Sequence, residues 1–319
     1  MDIVSLLLII LGLSLFEIIT SIDNAIINAE VLSTMGSKAK RWFLTWGIFI
    51  GVFLVRGLLP LLIIWAANPS IGPIGAVTAT FSNDPHIHEA VEKSAPFLLI
   101  GGGVFLVFLF FHWLFLEPKN FGLRGERFFQ AQGAWFFAIV SLVLTGIVWF
   151  ALQKDAFLAF GAVIGSTAFF IIHGFRSFAE EQEKLLVQGK SGMSDLGKIM
   201  YLEVLDATFS IDGVIGAFAF TLSVPLILLG NGLGAIILRQ ITVSNVDRIK
   251  RYKYLKNGAM YSILILGVIM LLDSFGFHIP HWLSPVLTFF AVGYFFYKSK
   301  LDITDLPAML EKTPKKKAH

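Results

Sequence analysis

The sequence contains no cysteine, which excludes disulfides and thiolate metal sites. Charged residues are also scarce, because Asp, Glu, Lys and Arg make up only 15% of the 319 residues, against about 25% in soluble domains. Hydrophobic residues reach 56% of the chain, and the mean hydropathy is +0.76. This composition predicts a polytopic membrane protein.

The sequence is instead rich in long apolar segments. Stretches of roughly 20 mostly apolar residues, the length that crosses a bilayer, can be read about nine times. We therefore predict an all-α, polytopic transmembrane bundle of about nine helices. The predicted spans are 3–31, 42–66, 96–116, 132–152, 156–176, 199–222, 225–243, 258–275 and 283–298.

The basic residues predict an orientation. Most of the 25 Lys and Arg residues lie in alternate loops and in the tail at 299–319. Cytoplasmic loops carry such an excess, so we expect an external amino terminus and a cytoplasmic carboxyl terminus. The basic tail fits an anionic lipid surface better than nucleic acid. The start has neither a basic n-region nor an Ala-x-Ala site, so we expect the first helix to be retained.

Two apolar stretches carry acidic residues where a membrane helix normally has none. They are FEIITSIDNAIINA at 16–29 and YLEVLDATFSIDGVIGAF at 201–218. Aligned on their shared Ser-Ile-Asp, both have a carboxylate, then Ser four residues on, then a second carboxylate. The corresponding residues are Glu17 with Asp206, Ser21 with Ser210, and Asp23 with Asp212.

The two motifs lie on segments that are predicted to run in opposite directions. Antiparallel copies of one motif indicate an inverted repeat with a substrate site near the membrane midplane. We expect a single integral membrane domain over 1–319 with internal subdivisions. These are a first repeat at 1–116, an inserted helix pair at 132–176, a second repeat at 199–275, an extra helix at 283–298 and a basic cytoplasmic tail at 299–319.

The spacing within each motif has a geometric consequence. Six residues separate Glu17 from Asp23, which is about 240° around a straight helix, so the two side chains would point apart. Breaks at Asp23-Asn24 and Asp212-Gly213 would bring the acids of each motif together and free backbone carbonyls. We therefore expect transmembrane helices 1 and 6 to be broken.

The donor set predicts the class of ligand. Oxygen donors without thiolate suit Mn²⁺, Mg²⁺ or Ca²⁺, and clustered carboxylates without a cation would bind protons. Exchange of a divalent cation for protons follows as a hypothesis. The predicted metal ligands are Glu17, Asp23, Asn24, Asp206, Ser210 and Asp212.

Further residues are expected to support this site. Ser21 would complete the ligand shell, and Arg56 and Arg239 would hold the acids when the metal leaves. Glu203 would act as a gate or outer group, and Asn231 fits an interhelical hydrogen bond as well as ligation. A structural alternative is that the acids only pair with the two arginines, which are too few to neutralise all five acids.

The motifs also resemble a known family. At Glu17, at Ser21-Ile22-Asp23-Asn24-Ala25, and from Asp206 to Asp212, the chain is similar to TerC integral membrane proteins. The resemblance implies an inverted-repeat helical fold, a bacterial inner-membrane location and export of a divalent cation, chiefly manganese. It also implies links to tellurium resistance and to the supply of Mn²⁺ to exported metalloproteins. Asp212-Gly213-Val214 in place of Asp-Ser-Ile-Pro, and the extra acid Glu203, indicate a divergent branch.

We accordingly expect a transporter that exports Mn²⁺, with Ca²⁺ or Mg²⁺ as other candidate substrates and no tightly bound cofactor. An enzyme is not expected, because the Tyr-Asp and Gly-x-Gly-Asp contexts of intramembrane aspartyl proteases are absent. The alternative is a membrane protein for metal delivery, or for envelope or tellurite stress, that works with partners and has no net transport. Such partners could be protein-export machinery or a second copy. A carrier of small organic solutes also stays open.

Overall fold

The structure, a computed structural model, consists of helices and their connections. It describes residues 2–47, 49–51, 56–67, 69, 72, 85–119, 121–187, 192–249 and 251–312. No β-strand occurs within these ranges. The prediction of an all-helical fold is therefore confirmed.

The helices follow one another along the chain with short connections. In order they are α1 (Ile3–Ser33), α2 (Ser37–Trp42), α3 (Arg56–Ala67), α4 (Pro85–Leu116), α5 (Arg124–Ala131), α6 (Phe136–Leu152), α7 (Ala156–Val187), α8 (Asp195–Ala217), α9 (Val224–Ile249), α10 (Leu255–Ser274) and α11 (Leu283–Lys312). A π-helical turn at Phe43–Gly47 follows α2, and a 3-10 turn at Gly133–Trp135 precedes α6.

Polar caps explain where several apolar runs begin as helices. The side chain of Asp2 accepts a hydrogen bond of 3.3 Å from the backbone N–H of Ser5 at the start of α1. Ser194 accepts one of 3.2 Å from Gly197 at the start of α8. Such oxygens satisfy the free N–H groups of a first helical turn. These two caps therefore mark where α1 and α8 begin.

Five helical segments in the described part of the chain are long and apolar enough to cross a membrane. They are Ile3–Ser33, Lys93–Leu116, Gly133–Leu152, Ala156–Phe178 and Leu255–Ser274. Two further apolar segments, Gly57–Ala66 and Val224–Leu238, are shorter. The chain is a helical membrane protein, while the count of nine spans stays a prediction.

Helix α1 lies at the centre of the bundle. It packs most extensively on α9 and also contacts α8, α10 and α11. Helix α4 packs between α10 and α7, and α6 lies against α7. Rings of Phe105 and Phe108 on α4 meet Phe169 on α7 edge to face, with centroids 5.9 and 5.7 Å apart. The helix pair that was predicted as an insert therefore packs on the outer side of α4.

The prediction of broken helices is wrong. Helix α1 runs without interruption through Asp23 and Asn24, and α8 does so through Asp212 and Gly213. A continuous helix keeps its backbone N–H and C=O groups paired, which matters most where lipid offers no partner. The acids meet polar groups on neighbouring helices instead, so no unwinding is required.

Several helices extend beyond their predicted spans, and α4 begins at Pro85 instead of residue 96. Helix α7 continues to Val187 and α11 continues to Lys312. Much of the segment at 299–319 is thus a direct extension of the last apolar helix, and residues 313–319 lie outside the described part. The polar ends of α7 and α11 project beyond the apolar stretches that the sequence identified.

Candidate functional site

The two acidic motifs face each other as antiparallel helices. A Cβ on Gly213 of α8 would lie 3.2 Å from Oε2 of Glu17 on α1. One to two turns further along α1, Nδ2 of Asn24 donates a hydrogen bond of 2.6 Å to Oδ1 of Asp206. Residue numbers therefore rise along α1 as they fall along α8. This register places the start of each motif beside the end of the other.

Glu17 is the most deeply buried of the predicted ligands, with an exposed fraction of 1%. Ser21, one turn further along α1, donates a hydrogen bond of 2.7 Å from its hydroxyl to Oε1 of Glu17. Helix α9 closes the other side, because a Cβ on Gly234 would lie 2.8 Å from Cβ of Glu17. Glu17 is thus enclosed by α1, α8 and α9 and accepts a hydrogen bond from Ser21, while the metal-ligand role of Ser21 stays a prediction.

Asp212 is paired with a cation that the sequence did not single out. Its Oδ2 lies 2.9 Å from a guanidinium nitrogen of Arg176 on α7, and its exposed fraction is 6%. Oδ1 of Asp212 has no hydrogen-bond partner within the described residues. A buried carboxylate next to one guanidinium is close to neutral as a pair. The predicted insert therefore supplies the counter-charge of the second motif.

Asp23 is separated from Glu17 by the rotation of the continuous helix. Its side chain is 57% accessible, and Oδ2 lies 3.3 Å from the ammonium of Lys256 on α10. The same ammonium lies 2.6 Å from Oε2 of Glu117, just after α4. Lys256 thus joins Asp23, within α1, to the adjoining ends of α4 and α10.

The other two predicted ligands on α8, Asp206 and Ser210, have different hydrogen-bond partners. Asp206 faces α1 through Asn24, which is 6% exposed. Ser210 is buried but donates its hydroxyl hydrogen to the backbone carbonyl of Asp206. A hydroxyl that bonds the preceding turn of its own helix is a frequent arrangement for Ser in membrane helices. Ser210 can still offer a lone pair to a ligand.

The other residues predicted to support the site lie on three helices, α3, α8 and α9. Asn231 on α9 is 1% exposed, and neither polar atom of its side chain has a hydrogen-bond partner within the described residues. Glu203 lies on α8 one turn before Asp206, and both of its oxygens are buried. Arg56 and Arg239 belong to α3 and α9, but their side chains lie outside the described part, so their predicted pairing stays a prediction.

The structure therefore brings Glu17, Asn24 and Asp206 to the α1–α8 contact, while Asp23 and Asp212 pair with cations on α10 and α7. No three side chains of the types His, Asp and Glu come together as metal ligands among the residues that the structure describes. The sequence missed Arg176, Glu117 and Lys256, since each lies at the end of an apolar segment and reads as a flanking charge. A cation must displace Arg176 and Lys256, or compete with them, to reach Asp212 and Asp23.

Two histidines form a further contact that the sequence did not predict. His112 on α4 and His173 on α7 have ring centroids 3.7 Å apart, and His173 stacks on Phe169 at 5.6 Å. His173 precedes Arg176 by three residues on the same helix, so the two lie on one face of α7. The polar end of the α4–α7 contact thus adjoins the ion pair with Asp212.

A family model described as a protein of unknown function, DUF475, matches residues 22–302. The chain belongs to the DUF475 family. The match includes both Asp23 and the whole second motif, as well as Arg176 and Lys256. Membership therefore covers the described site, apart from Glu17 and Ser21, which precede the matched residues.

Among curated proteins, the chain is similar to the uncharacterized membrane protein YceF of Bacillus subtilis (strain 168). The two are 29% identical over 83 residues, which is 26% of this chain and 32% of that protein. No solved structure matches the chain. This relative and the apolar helices together identify the DUF475 protein as a multi-pass membrane protein, while the TerC resemblance stays a prediction.

Proposed function

We propose that this DUF475 protein is a transporter that exports a divalent cation, Mn²⁺ first, in exchange for protons. The observation that carries the proposal is the burial of Glu17 and Asp212 where the two motif helices of a membrane bundle meet. Ionisable groups at such positions are costly and normally mark an ion or proton pathway. Ser21 places a hydroxyl oxygen beside Glu17, and the two motifs offer carboxylate, amide and hydroxyl oxygens, which favours a hard divalent cation.

An inverted repeat is supported by the contacts of the bundle. The proposed equivalent pairs are α1 with α8, α3 with α9, and α4 with α10. Helix α1 packs on α9 while α8 packs on α3, and the members of the other pairs α1–α8 and α4–α10 touch each other. A two-fold axis through the α1–α8 contact would produce this pattern. We place the axis in the membrane plane, with the amino terminus outside a bacterial inner membrane.

The proposed cycle uses cations that the protein already carries. Arg176 and Lys256 neutralise Asp212 and Asp23 in the present arrangement. A divalent cation would displace them, and proton uptake by the acids would favour its release. The choice of Mn²⁺ and the outward direction rest on the TerC resemblance.

The test is Mn²⁺ flux in proteoliposomes that contain only this protein, with and without a pH gradient. Asp23→Asn and Asp212→Asn should each abolish flux while the protein stays monodisperse. Asp2→Asn is a matched control, because Asp2 is an exposed helix cap and Asn caps equally well. Normal flux in either site variant would contradict the assignment. Folded protein with no flux of Mn²⁺, Ca²⁺ or Mg²⁺ would favour partner-dependent metal delivery.

A further inference from the structure

Two carboxylates of α8 pack directly against Gly47 and Gly51, where a side chain would collide with them. The position that a Cβ would take on Gly51 lies 2.6 Å from Oδ2 of Asp206 and 3.7 Å from Oε2 of Glu203. A Cβ on Gly47 would overlap Oε1 of Glu203. Both glycines are buried, and Gly47 ends the π-helical turn Phe43–Gly47. Irregular turns of this kind are frequent at functional sites.

Several side-chain oxygens close to these two carboxylates have no hydrogen-bond donor within the described residues. Neither oxygen of Glu203 has a hydrogen-bond partner in the described part of the chain, although both are buried. The same holds for Oδ1 of Asn24, whose Nδ2 is bound to Asp206. A buried oxygen without a donor destabilises the fold, and the effect is larger when the oxygen is charged. Such oxygens are satisfied when a cation binds between them.

Asn28 supplies a fourth oxygen at the same level. It lies one turn beyond Asn24 on the same face of α1, and its Oδ1 is also buried without a partner among the described residues. Glu17 faces Gly213 and Asn24 faces Asp206 across the antiparallel contact. Continuing that register along the helices brings Asn28 to the level of Glu203.

We propose that Glu203, Asp206, Asn24 and Asn28 bind a divalent cation next to Gly47 and Gly51. The site is separate from the ion pairs of Asp23 and Asp212, and it makes Glu203 a ligand rather than an outer group. Two carboxylates and two amide oxygens form an all-oxygen set that suits Mn²⁺, Mg²⁺ or Ca²⁺. The inference rests on the proposed function, since the bound cation is the transported one.

The experiment is Mn²⁺ binding to purified protein in lipid nanodiscs, followed by electron paramagnetic resonance, together with flux in proteoliposomes. Glu203→Gln removes a ligand charge, and Gly51→Ala pushes a methyl group against Oδ2 of Asp206 without changing charge. Each should raise the dissociation constant for Mn²⁺ at least about tenfold and reduce flux. Gly146→Ala is the matched control, because a Cβ there meets no atom within 4 Å, and it should bind Mn²⁺ as the unchanged protein does.

The readouts separate this inference from the transport proposal. Unchanged binding in both Glu203→Gln and Gly51→Ala, with flux intact, would overturn the site and leave the transporter. Binding that needs Glu203 but produces no flux would keep the site and overturn the transporter. Gly51→Ala covers the case in which Glu203→Gln does not fold, since it alters no charge.

Discussion

Arg176 on α7 and Asp212 on α8 form an ion pair of 2.9 Å between the helix that follows α6 and the second acidic motif. Asp212 is almost fully buried, so its charge depends on a neighbouring cation or a proton. The guanidinium therefore links the folding of α7 to the electrostatics of the proposed transport site. Its removal should affect both.

We predict that Arg176→Met destabilises the protein and makes it more responsive to metal. Removing one member of a buried pair costs about 3–5 kcal/mol, because the other charge is left unpaired. The thermal unfolding midpoint should fall, and added Mn²⁺ should raise it more in the variant than in the unchanged protein. Arg124→Met, at an exposed position at the start of α5, is the control. Equal midpoints for the two variants would contradict the prediction.

Replacing Lys256 should change the affinity for Mn²⁺ more than it changes the stability of the protein. It lies near Asp23 and Glu117, but its side chain is 44% accessible. Exposed ion pairs contribute at most about 1 kcal/mol to stability, so the unfolding midpoint of Lys256→Met should change little. Mn²⁺ should bind several-fold more tightly, because the competing ammonium is gone. Titration calorimetry against Lys253→Met, whose ammonium lies over Phe121, measures this. Weaker binding would show that Lys256 holds the site open.

Gly234 should be intolerant of a side chain. A Cβ there would lie 2.5 Å from the backbone oxygen of Ser14 and 2.8 Å from Cβ of Glu17. Gly234→Ala would push α9 away from α1, and such overpacking costs about 1–3 kcal/mol. We expect a lower unfolding midpoint and reduced Mn²⁺ flux. Gly174→Ala, where a Cβ meets nothing within 4 Å, should leave both unchanged. Normal flux in Gly234→Ala would show that transport does not depend on the close packing of α9 against Glu17.

The buried ammonium of Lys119 should make the stability of the protein depend on pH. It lies between α4 and α5, and its buried ammonium donates to the backbone oxygen of Trp113 and sits 3.8 Å from that ring centre. Burial lowers the pKa of Lys119 to about 8, although Glu117 and Glu126 oppose the shift. An unfolded Lys keeps a pKa of about 10.4, so the unfolded state holds more protons between these values. Stability should therefore rise with pH in this window.

The measurement is the unfolding midpoint of protein in detergent at several pH values between about 8 and about 10. The unchanged protein should gain stability relative to Lys119→Met as the pH increases. Subtracting the variant's profile removes the contributions of the other titrating groups. Parallel profiles would show that Lys119 titrates alike in the folded and unfolded chain.

Helix positions could be predicted because the length of an apolar run is a local property. Helices α1, α6 and α10 begin and end within a few residues of the predicted spans. The antiparallel contact of the motifs could also be anticipated from the alternating basic loops. These features depend on segment order and hydropathy, both of which are visible in the sequence.

The partners of the acids could not be predicted, because they depend on how each helix is rotated. The spacing correctly placed Glu17 and Asp23 on different sides of a straight helix, yet a break was inferred to reunite them. In the structure the helix is continuous. Glu17 accepts a hydrogen bond from Ser21, and Asp23 forms an ion pair with Lys256. No sequence rule connects Asp23 with a lysine that follows it by more than two hundred residues.

The contact between α4 and α7 has a mechanical consequence. A Cβ on Gly165 of α7 would overlap the backbone oxygen of Gly101 on α4, and the oxygen of Gly161 lies 3.0 Å from the Cβ position of Gly101. Backbones this close leave little room for one helix to slide or roll past the other. Arg176 is therefore carried by a helix that is held closely against α4. If α8 moved relative to these two helices, Asp212 would separate from the guanidinium of Arg176.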